Sequence, residues 1–287
     1  PNNANPDKSF KGFPPPGPLF CSENAFDDIP DIFSNLNIRT PVLLVADDIT
    51  YKIAGNQFSD TFSRNEVHSH LIQNATVEEV SRAGSAASNI GAKAIVGLGG
   101  GRPIDVAKLT AYRKGIPFIS VPTAPSHDGV ASNRASLVHL GTRTSIKARP
   151  PVAVVADLNI LKKSPPRLIS SGAADALSNI SSVMDWDLAH RVTGVEINRK
   201  ARNIALHAGT SITENGVEMK GLMQALYESG VAMAMVGTSR PASGAEHKFA
   251  HAVEALSNTG SLHGELCGIG SLISTYLHGC LLYTSPS

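Results

Sequence analysis

The sequence has 287 residues, of which 42% are hydrophobic and 17% charged, so the chain is globular and long enough for two domains. Its formal net charge of +1, without a long basic run, argues against nucleic acid or an anionic membrane as the main partner. No apolar run approaches the roughly 20 residues that cross a bilayer, and the three scattered cysteines are typical of a reducing compartment, so we expect a cytoplasmic protein without membrane insertion.

The first half of the chain alternates predicted strands and helices at the spacing of βαβ units. Residues 1–18 are rich in Pro and Gly and are expected to be an extended or disordered lead. The predicted strands cover 41–47, 66–72, 93–100 and 115–123. The predicted helices cover 76–92, which begins with a Thr cap, and 102–115, with Pro103 suited to its first turn and Gly115 to its C-cap. We therefore expect residues 19–164 to form an open, Rossmann-like α/β domain with a mostly parallel sheet that binds a dinucleotide.

The pattern changes after the segment SPPRL (164–168), where the apolar periodicity becomes helical and predicts no further strand. Residues 165–287 are expected to form an all-α domain, and the cleft between the two domains is the expected ligand site. The last residues, 280–287, lack the features that end a helix, and we interpret them as a sequence artefact or a sign of truncation.

Three consecutive glycines, Gly99 to Gly101, join a predicted strand to a predicted helix in GLGGGRPIDVAK (97–108). Glycine permits a tight turn and the close approach of a phosphate, and the N-terminus of a helix attracts negative charge. Arg102 could add a cation. The segment matches neither G-x-G-x-x-G nor a Walker motif, so a tight turn without a ligand is the alternative.

A second polar loop, VPTAPSHDGVASNRAS (121–136), follows the next predicted strand and carries His127 and Asp128. Because ligand-binding loops follow the carboxyl ends of strands in open α/β sheets, two neighbouring loops favour a dinucleotide or phosphate ligand. Asp47 or Asp48, after the first predicted strand, could accept a hydrogen bond from the ribose of NAD, although acidic pairs are also common in turns.

Three histidines lie close together near the C-terminus. His247 and His251 share one face of a predicted helix, and His263 opens the next helix. A zincin motif is excluded because Lys248 stands where H-E-x-x-H needs its glutamate. A catalytic zinc site needs three protein ligands, and Asp175 is the best-placed carboxylate to complete the pair of His247 and His263.

Two other carboxylates compete with Asp175 for this role. Asp185 and Asp187 lie in DWDLAHR (185–191), which is more typical of a helix surface around one buried residue, Trp186. Histidines that only pack or face solvent are the alternative to a metal site, and the spacing alone leaves that alternative open.

Eight segments stand out in order along residues 20–279: GGGRPID, PTAPSHDG, ASNRAS, ARPPVAVVAD, GAAD, DWDLAHR, SRPASGAEHKFAHAVE and HGELCGIG. Together they resemble the sn-glycerol-1-phosphate dehydrogenases, a family within the superfamily of iron-containing alcohol dehydrogenases, glycerol dehydrogenases and 3-dehydroquinate synthases. The segments SHDG and RPASGAEH point to this branch of the superfamily. The family continues for several helices beyond the last segment, so the resemblance implies a C-terminally truncated helical domain.

The resemblance implies a role for each residue of a site. It implies that one Zn²⁺, or another divalent ion such as Ni²⁺ or Fe²⁺, is bound by Asp175, His247 and His263. It implies that NAD or NADP is bound by Gly99, Gly100, Gly101, Arg102, Pro103, Ile104, Asp105, Thr123, Ser126 and Ser132. The implied catalytic and substrate-facing residues are Asp128 and His251, with Asp175 beside the substrate. Arg240 and Lys248 are candidates for the substrate phosphate on charge alone.

The implied reaction is the reversible, metal-dependent reduction of dihydroxyacetone phosphate by NAD(P)H to sn-glycerol 1-phosphate. The implied partner is a small phosphorylated substrate, and a homo-oligomer is expected. A glycerol or polyol dehydrogenase of the same superfamily is the nearest alternative. A 3-dehydroquinate synthase is disfavoured because that branch usually has Glu where Asp175 stands. A non-catalytic NAD-binding protein or an inactive fragment is the alternative from another class.

Overall fold

The computed structural model describes residues 14–139, 142–256 and 260–279. Residues 14–18 form neither helix nor strand, whereas the rest of the predicted lead and the predicted artefact at 280–287 lie outside the described residues. In the part of the chain that is described, no helix is both long enough and apolar enough to span a membrane.

A six-stranded sheet lies at the centre of the first part of the chain, and all of its strand pairs are parallel. In chain order the strands are β1 (Leu19–Ser22), β2 (Val42–Asp47), β3 (Val67–Ile72), β4 (Ala94–Gly99), β5 (Phe118–Pro122), β6 (Arg134–His139), β7 (Thr142–Lys147) and β8 (Ala153–Asp157). Their order in the sheet is β1-β8-β5-β4-β2-β3, and β6 and β7 form a separate antiparallel hairpin. The four central strands are buried along their whole length, which explains why each is a nearly continuous apolar run.

Helices cover both faces of this sheet. They are α1 (Ile29–Asn35), α2 (Asp48–Thr50), which continues through a π-helical turn (Tyr51–Gly55) into α3 (Asn56–Ser59), α4 (Val77–Asn89), α5 (Gly101–Lys114) and α6 (Leu158–Leu161). Successive side chains of a strand point to opposite faces, and accordingly Leu43 and Val45 belong to one buried apolar cluster while Val42 and Leu44 belong to another. The sheet therefore has an apolar core on each side.

The predicted signals for helix ends are confirmed for α4 and α5. The Thr76 hydroxyl accepts a hydrogen bond from the backbone N–H of Glu79 at 3.1 Å and caps α4. Helix α5 ends at Gly115, whose φ of +68° places it in the left-handed region that glycine favours.

Four strands of the first part, β1, β6, β7 and β8, were not predicted. Strand β1 has only four residues, which is too short for a clear periodicity, whereas β8 is a fully buried apolar run like the predicted central strands. The ligand-binding loop predicted at 121–136 included the first residues of β6, although Ala135 and Leu137 are fully buried and alternate with Arg134 and Ser136. That alternation was the signal for a half-buried strand.

The second part of the chain is helical, as predicted. It consists of α7 (Pro166–Thr193), α8 (Arg199–Asn215), α9 (Met219–Val236), α10 (Ala245–Leu256) and α11 (His263–Leu277). No described residue after β8 forms a strand. Trp186 is 1% exposed and fills the core between α7 and α8, where its indole N–H donates to the carbonyl of Glu196 at 3.2 Å. The predicted fold class, a parallel α/β part followed by an all-α part, is confirmed.

Candidate active site

A cleft of about 880 Å³ lies where the carboxyl ends of the strands face the helical part of the chain. The predicted site residues that line it are Gly100, Gly101, Arg102, Pro103, Asp105, Thr123, Ser126, Asp128, Ser132, His247, His251 and His263. Asp175 is buried beside it, between Asp128 and His247. Gly99 does not line the cleft, and the side chain of Ile104 is fully buried in the core of the sheet. The side chain of Ile104 therefore does not line the cleft, and its part in binding the cofactor stays a prediction.

The three glycines of the loop differ in what an added side chain would meet. Gly99 has φ +148°, a conformation that L side chains rarely adopt, and its carbonyl accepts from the N–H of Thr123 at 3.1 Å. A Cβ on Gly101 would lie 2.5 Å from Nε2 of His127. A Cβ on Gly100 would meet no protein atom within 4 Å. Gly100 is therefore the one of the three at which no protein contact requires a glycine. The open space beside it belongs to the cleft.

A buried ion pair fixes the hairpin to helix α5. Nζ of Lys108, which is fully buried, lies 3.2 Å from Oδ1 of Asp105 and donates to the carbonyls of Gly129 and Arg134, each at 2.6 Å. The other carboxylate oxygen of Asp105 accepts from the backbone N–H of Ser136 at 3.0 Å. Asp105 therefore stabilises the packing of the hairpin against α5. It is buried, so only a small part of it is accessible from the cleft.

Both carboxylate oxygens of Asp47 already have partners. Oδ1 accepts from two backbone N–H groups of α2, at 2.8 and 3.1 Å, and Oδ2 lies 3.1 Å from Nη2 of Arg102. Arg102 also donates to the carbonyl of Gln73 at 3.1 Å. Asp48 is exposed and does not line the cleft. A ribose hydroxyl would therefore compete with Arg102 for Asp47, instead of meeting the free carboxylate that the sequence suggested.

The loop after β5 is fixed to the start of α7. The hydroxyl of Ser171 donates to the carbonyl of Ser126 at 3.1 Å. A Cβ on Gly172 would lie 1.7 Å from the carbonyl oxygen of Pro125, so the two backbones touch there. Ser132, farther along the loop, is 3% exposed, and its hydroxyl donates locally to the carbonyl of Arg134 at 3.3 Å. The loop that carries the residues predicted to bind the coenzyme is thus held against α7 by tertiary contacts.

Four donor atoms from three helices converge beside the cleft. Asp175 in α7, His247 in α10, and His263 and Cys267 in α11 each direct an oxygen, nitrogen or sulfur atom to a region in which all four lie within 4.8 Å of one another. Oδ2 of Asp175 accepts from the N–H of Asp128 at 2.8 Å. Oδ1 lies 3.7 Å from Nε2 of His247 and has no hydrogen-bond partner among the described residues, although it is buried. A buried carboxylate oxygen is costly unless a cation or a donor meets it, so this arrangement fits a metal ion.

A buried carboxylate orients His247. Oε1 of Glu246 lies 2.9 Å from Nδ1 of His247 and also accepts from the hydroxyl of Ser182 and the N–H of Gly244, each at 2.6 Å. Burial raises the pKa of Glu246, but the hydrogen bonds from His247, Ser182 and Gly244 outweigh it and hold the pKa at about 2. The carboxylate is therefore charged, and it leaves Nε2 of His247 as the nitrogen that faces Asp175.

A second carboxylate, Glu254, joins the other two histidines. Its Oε1 lies 3.1 Å from Nδ1 of His263, and its Oε2 lies 3.3 Å from Nδ1 of His251. Burial raises the pKa of Glu254, but the hydrogen bonds of both histidines prevail and lower it. Burial lowers the pKa of His263, but Glu254 and Asp175 outweigh it and raise that pKa. His247 and His263, the two predicted histidine ligands, thus each have one ring nitrogen beside a carboxylate and the other directed to the region where the four donor atoms converge.

Asp128 and His251, predicted to face the substrate, both line the cleft. Burial and the neighbouring charge of Asp175 raise the pKa of Asp128 well above its ordinary value, which favours its protonated form. His251 leaves 51% of its side chain exposed. The two residues therefore offer a carboxyl group with a raised pKa and a solvent-accessible imidazole to the same cleft.

The sequence prediction missed three members of this cluster. Glu246 precedes His247 directly, Glu254 follows His251 by three positions on the same helix face, and Cys267 follows His263 by four. These short spacings to the three histidines are the sequence signal by which Glu246, Glu254 and Cys267 could have been identified. Burial and the surrounding carboxylates raise the pKa of the Cys267 thiol, so in this arrangement it is neutral.

Four other predicted candidates lie outside the cleft. Asp185 accepts from the N–H of Ala245 and lies 2.7 Å from Nε2 of the histidine that directly follows α11, while Asp187 pairs with an arginine of α8, which agrees with the prediction that this segment is a helix surface. Arg240 and Lys248 are exposed and do not line the cleft, so the structure does not support their assignment to a substrate phosphate.

Comparison with known proteins gives the family of the chain. The sequence model of the iron-containing alcohol dehydrogenases matches residues 20–165. Glycerol-1-phosphate dehydrogenase (NAD(P)+) of Pyrococcus furiosus is 41% identical over 273 residues, which cover 92% of this chain and 79% of that protein. The same enzyme of Methanospirillum hungatei is 42% identical over 278 residues, which cover 92% of this chain and 76% of that protein. Among solved structures, a probable glycerol dehydrogenase from Sinorhizobium meliloti has a TM-score of 0.76 at 20% identity over 93% of this chain and 78% of that one, which shows a shared fold. The chain therefore belongs to the iron-containing alcohol dehydrogenase family and, within it, to the glycerol-1-phosphate dehydrogenases.

Proposed function

We propose that this protein interconverts dihydroxyacetone phosphate and sn-glycerol 1-phosphate by hydride transfer with NAD(P)H, and that it needs a divalent metal ion. The observation that carries the proposal is the convergence of Asp175, His247 and His263 around an unpartnered carboxylate oxygen at the wall of the cleft. The names of the relatives, which are about 40% identical over most of their length, supply the substrate and the coenzyme.

We assign the metal ion to Asp175, His247 and His263. Two imidazole nitrogens and one carboxylate oxygen suit Zn²⁺, and Fe²⁺ or Ni²⁺ accept the same donors, so metal analysis has to identify the ion. Cys267 is within reach as a further ligand if its thiol loses the proton. When bound, the ion would supply Lewis-acid polarisation of the substrate carbonyl.

We assign the coenzyme to the glycine loop and to the loop after β5. The open side of Gly100 and the N-terminus of α5 suit the pyrophosphate, because backbone N–H groups and the helix dipole both favour negative charge. Thr123 and Ser126 line the cleft in the loop that follows the neighbouring strand β5, where they would orient the nicotinamide. Gly101 and the other residues of the predicted set would hold the loop in place.

The reduction transfers a hydride from C4 of the nicotinamide to C2 of the substrate, while the carbonyl oxygen gains a proton. We assign proton delivery to His251, whose half-exposed ring can exchange protons with water and whose Nδ1 is oriented by Glu254. Asp128, with its raised pKa, would donate a hydrogen bond to a substrate oxygen without adding negative charge. Asp175 is thereby the neighbour of both the metal and the substrate-facing loop.

A coupled spectroscopic and chiral assay tests the proposal. Protein loaded with Zn²⁺ is expected to oxidise NADH or NADPH when dihydroxyacetone phosphate is present, and to release only the sn-glycerol 1-phosphate enantiomer. A chelator is expected to abolish turnover, and added metal to restore it. Metal-loaded protein that does not turn over dihydroxyacetone phosphate would overturn the proposal. Faster oxidation of glycerol than of sn-glycerol 1-phosphate would instead identify a polyol dehydrogenase.

A further inference from the structure

We propose that the β6–β7 hairpin is the subsite for the phosphate group of the substrate, with Arg143 as its principal ligand. The inference rests on the proposed function, because it assigns a residue to the phosphate of dihydroxyacetone phosphate. The hairpin, residues 134–147, contains two arginines, a lysine and a histidine but no acidic residue. It is therefore a strongly cationic element in a chain whose net charge is only +1.

One face of the hairpin points into the cleft. The hairpin residues that line the cleft are Arg134, Ser136, Arg143 and Ser145. Ser136 and Ser145 are directly opposite each other in the antiparallel register, and the arginines lie two residues away on the same face. Two guanidinium groups and two hydroxyl groups thus face one volume. Such a set of cationic and neutral donors matches the oxygens of a phosphate group.

The other lysines and arginines that line the cleft are paired with a carboxylate, belong to the hairpin itself or lie on the coenzyme side. The lysines and arginines that line it, among the described residues, are Arg102, Arg134, Arg143 and Lys163. Arg102 pairs with Asp47 beside the glycine loop. Lys163 follows α6 and stands next to Ser164, whose hydroxyl donates to the carbonyl of Thr123 on the coenzyme side.

The two arginines of the hairpin differ in what their guanidinium groups do. Arg134 donates to the hydroxyl and the carbonyl of Ser145, at 3.0 and 2.7 Å, and so stabilises the hairpin itself. Arg143 is exposed, and its hydrogen bond is a long one of 3.3 Å to the hydroxyl of Ser136. No carboxylate of the described chain lies within ion-pair distance of Arg143. Its charge is therefore available to an anionic ligand, and a hydroxyl donor is beside it.

Arg143 also lies at the metal end of the cleft. Strand β7 contacts helix α10, which carries His247 and His251. Arg143 lines the same cleft as Glu254 and His263. In dihydroxyacetone phosphate a single CH₂–O link separates the carbonyl carbon from the phosphate. The phosphate ligand must therefore lie at the same end of the cleft as the metal, as Arg143 does.

The test compares Arg143→Met and Arg143→Lys with Arg113→Met, which removes an exposed arginine of α5 that does not line the cleft. For each metal-loaded protein, KM is measured for dihydroxyacetone phosphate, unphosphorylated dihydroxyacetone and NADH, together with inhibition by inorganic phosphate. Arg143→Met is expected to raise KM for dihydroxyacetone phosphate about 10- to 100-fold, the range for a lost hydrogen-bonded charge. Its KM for NADH, its turnover of dihydroxyacetone and its thermal unfolding should match Arg113→Met, while Arg143→Lys should be intermediate.

The outcomes separate this inference from the proposed function. If the wild-type enzyme does not turn over dihydroxyacetone phosphate, both are overturned. If it does, but Arg143→Met changes KM for that substrate by less than about twofold, only the hairpin assignment is overturned. A rise in KM for NADH with no rise for the substrate would overturn it as well, because Arg143 would then bind a phosphate of the coenzyme. Equal losses with the phosphorylated and unphosphorylated substrates would also contradict it.

Discussion

The backbone N–H of Asp128 donates to Oδ2 of Asp175 at 2.8 Å, and this bond joins the loop after β5 to helix α7. It leaves the other carboxylate oxygen facing His247 without a hydrogen-bond partner in the described structure. One side chain therefore both connects the loop after β5 to the helical part and offers a free oxygen to a cation.

Asp175→Asn is expected to remove the metal while preserving the fold, because the amide oxygen can still accept the N–H of Asp128 but carries no charge. Turnover should fall by more than about 100-fold, since losing even a partner of a metal ligand typically costs about 10- to 100-fold. Metal content after dialysis, measured by elemental analysis, is the readout. Asp187→Asn, which alters a surface ion pair with Arg202, should retain the metal. One equivalent of tightly bound metal in Asp175→Asn would contradict the assignment.

Glu254→Gln is expected to weaken metal affinity or turnover by about 10- to 100-fold, because a neutral amide orients His263 and His251 less strongly than a carboxylate does. Titration with a competing chelator gives the affinity, and kcat gives the effect on proton delivery. Glu228→Gln, which alters a comparable contact to His207 outside the cleft, is the matched control. Unchanged affinity together with unchanged kcat would show that Glu254 has no orienting role.

Gly100→Ala is expected to raise KM for NADH about tenfold, equivalent to about 1.4 kcal/mol, without changing stability. The φ of −83° at Gly100 is accessible to alanine, and the added methyl group would meet only the bound coenzyme. Gly101→Ala is the informative comparison, because its methyl group would collide with His127 and should lower the unfolding temperature. A KM for NADH equal to that of the wild type in Gly100→Ala would place the pyrophosphate elsewhere.

Gly264→Ala is expected to destabilise the protein by about 1–3 kcal/mol, the usual cost of overpacking. A Cβ on Gly264 would lie 1.9 Å from the carbonyl oxygen of Ser171, so α11 would have to move away from α7 and carry His263 with it. Urea unfolding measures the loss, and metal affinity should fall in parallel. Gly221→Ala, whose nearest contact would be an ordinary 3.5 Å, should be neutral or stabilising. Equal stability of the two variants would contradict the close packing of α7 and α11.

The sequence predicted the parts of the fold that depend on local patterns. Apolar runs predicted the central strands β2, β4 and β5, and Pro103 and Gly115 predicted the ends of α5. The hairpin was missed because its cationic residues resemble a polar loop until the buried partners Ala135 and Leu137 are taken into account.

The prediction of the site depended more on the family resemblance than on the spacing of residues in the sequence. Asp175 lies 72 positions before His247 in the sequence, and only the packing of α7 against α10 and α11 brings the two together. No rule based on short sequence spacings predicts a contact between residues so far apart in the chain. Spacing first pairs His247 with His251, yet the structure places the ring of His263, at 5.0 Å between centroids, closer to His247 than the ring of His251, at 6.3 Å. Arg143 could not be selected from charge alone, because charge favoured Arg240 and Lys248 equally.

The buried Lys108 has a consequence for how the enzyme discriminates between substrates. Because Lys108 and Asp105 fix the hairpin to α5, Arg143 is anchored to the helix that follows the glycine loop, whereas the proposed metal ligands belong to α7, α10 and α11. A substrate held by its phosphate on one side and by its carbonyl on the other would set the distance between nicotinamide and metal. An analogue without phosphate would leave that distance undefined, and would therefore react slowly even when it saturates the cleft.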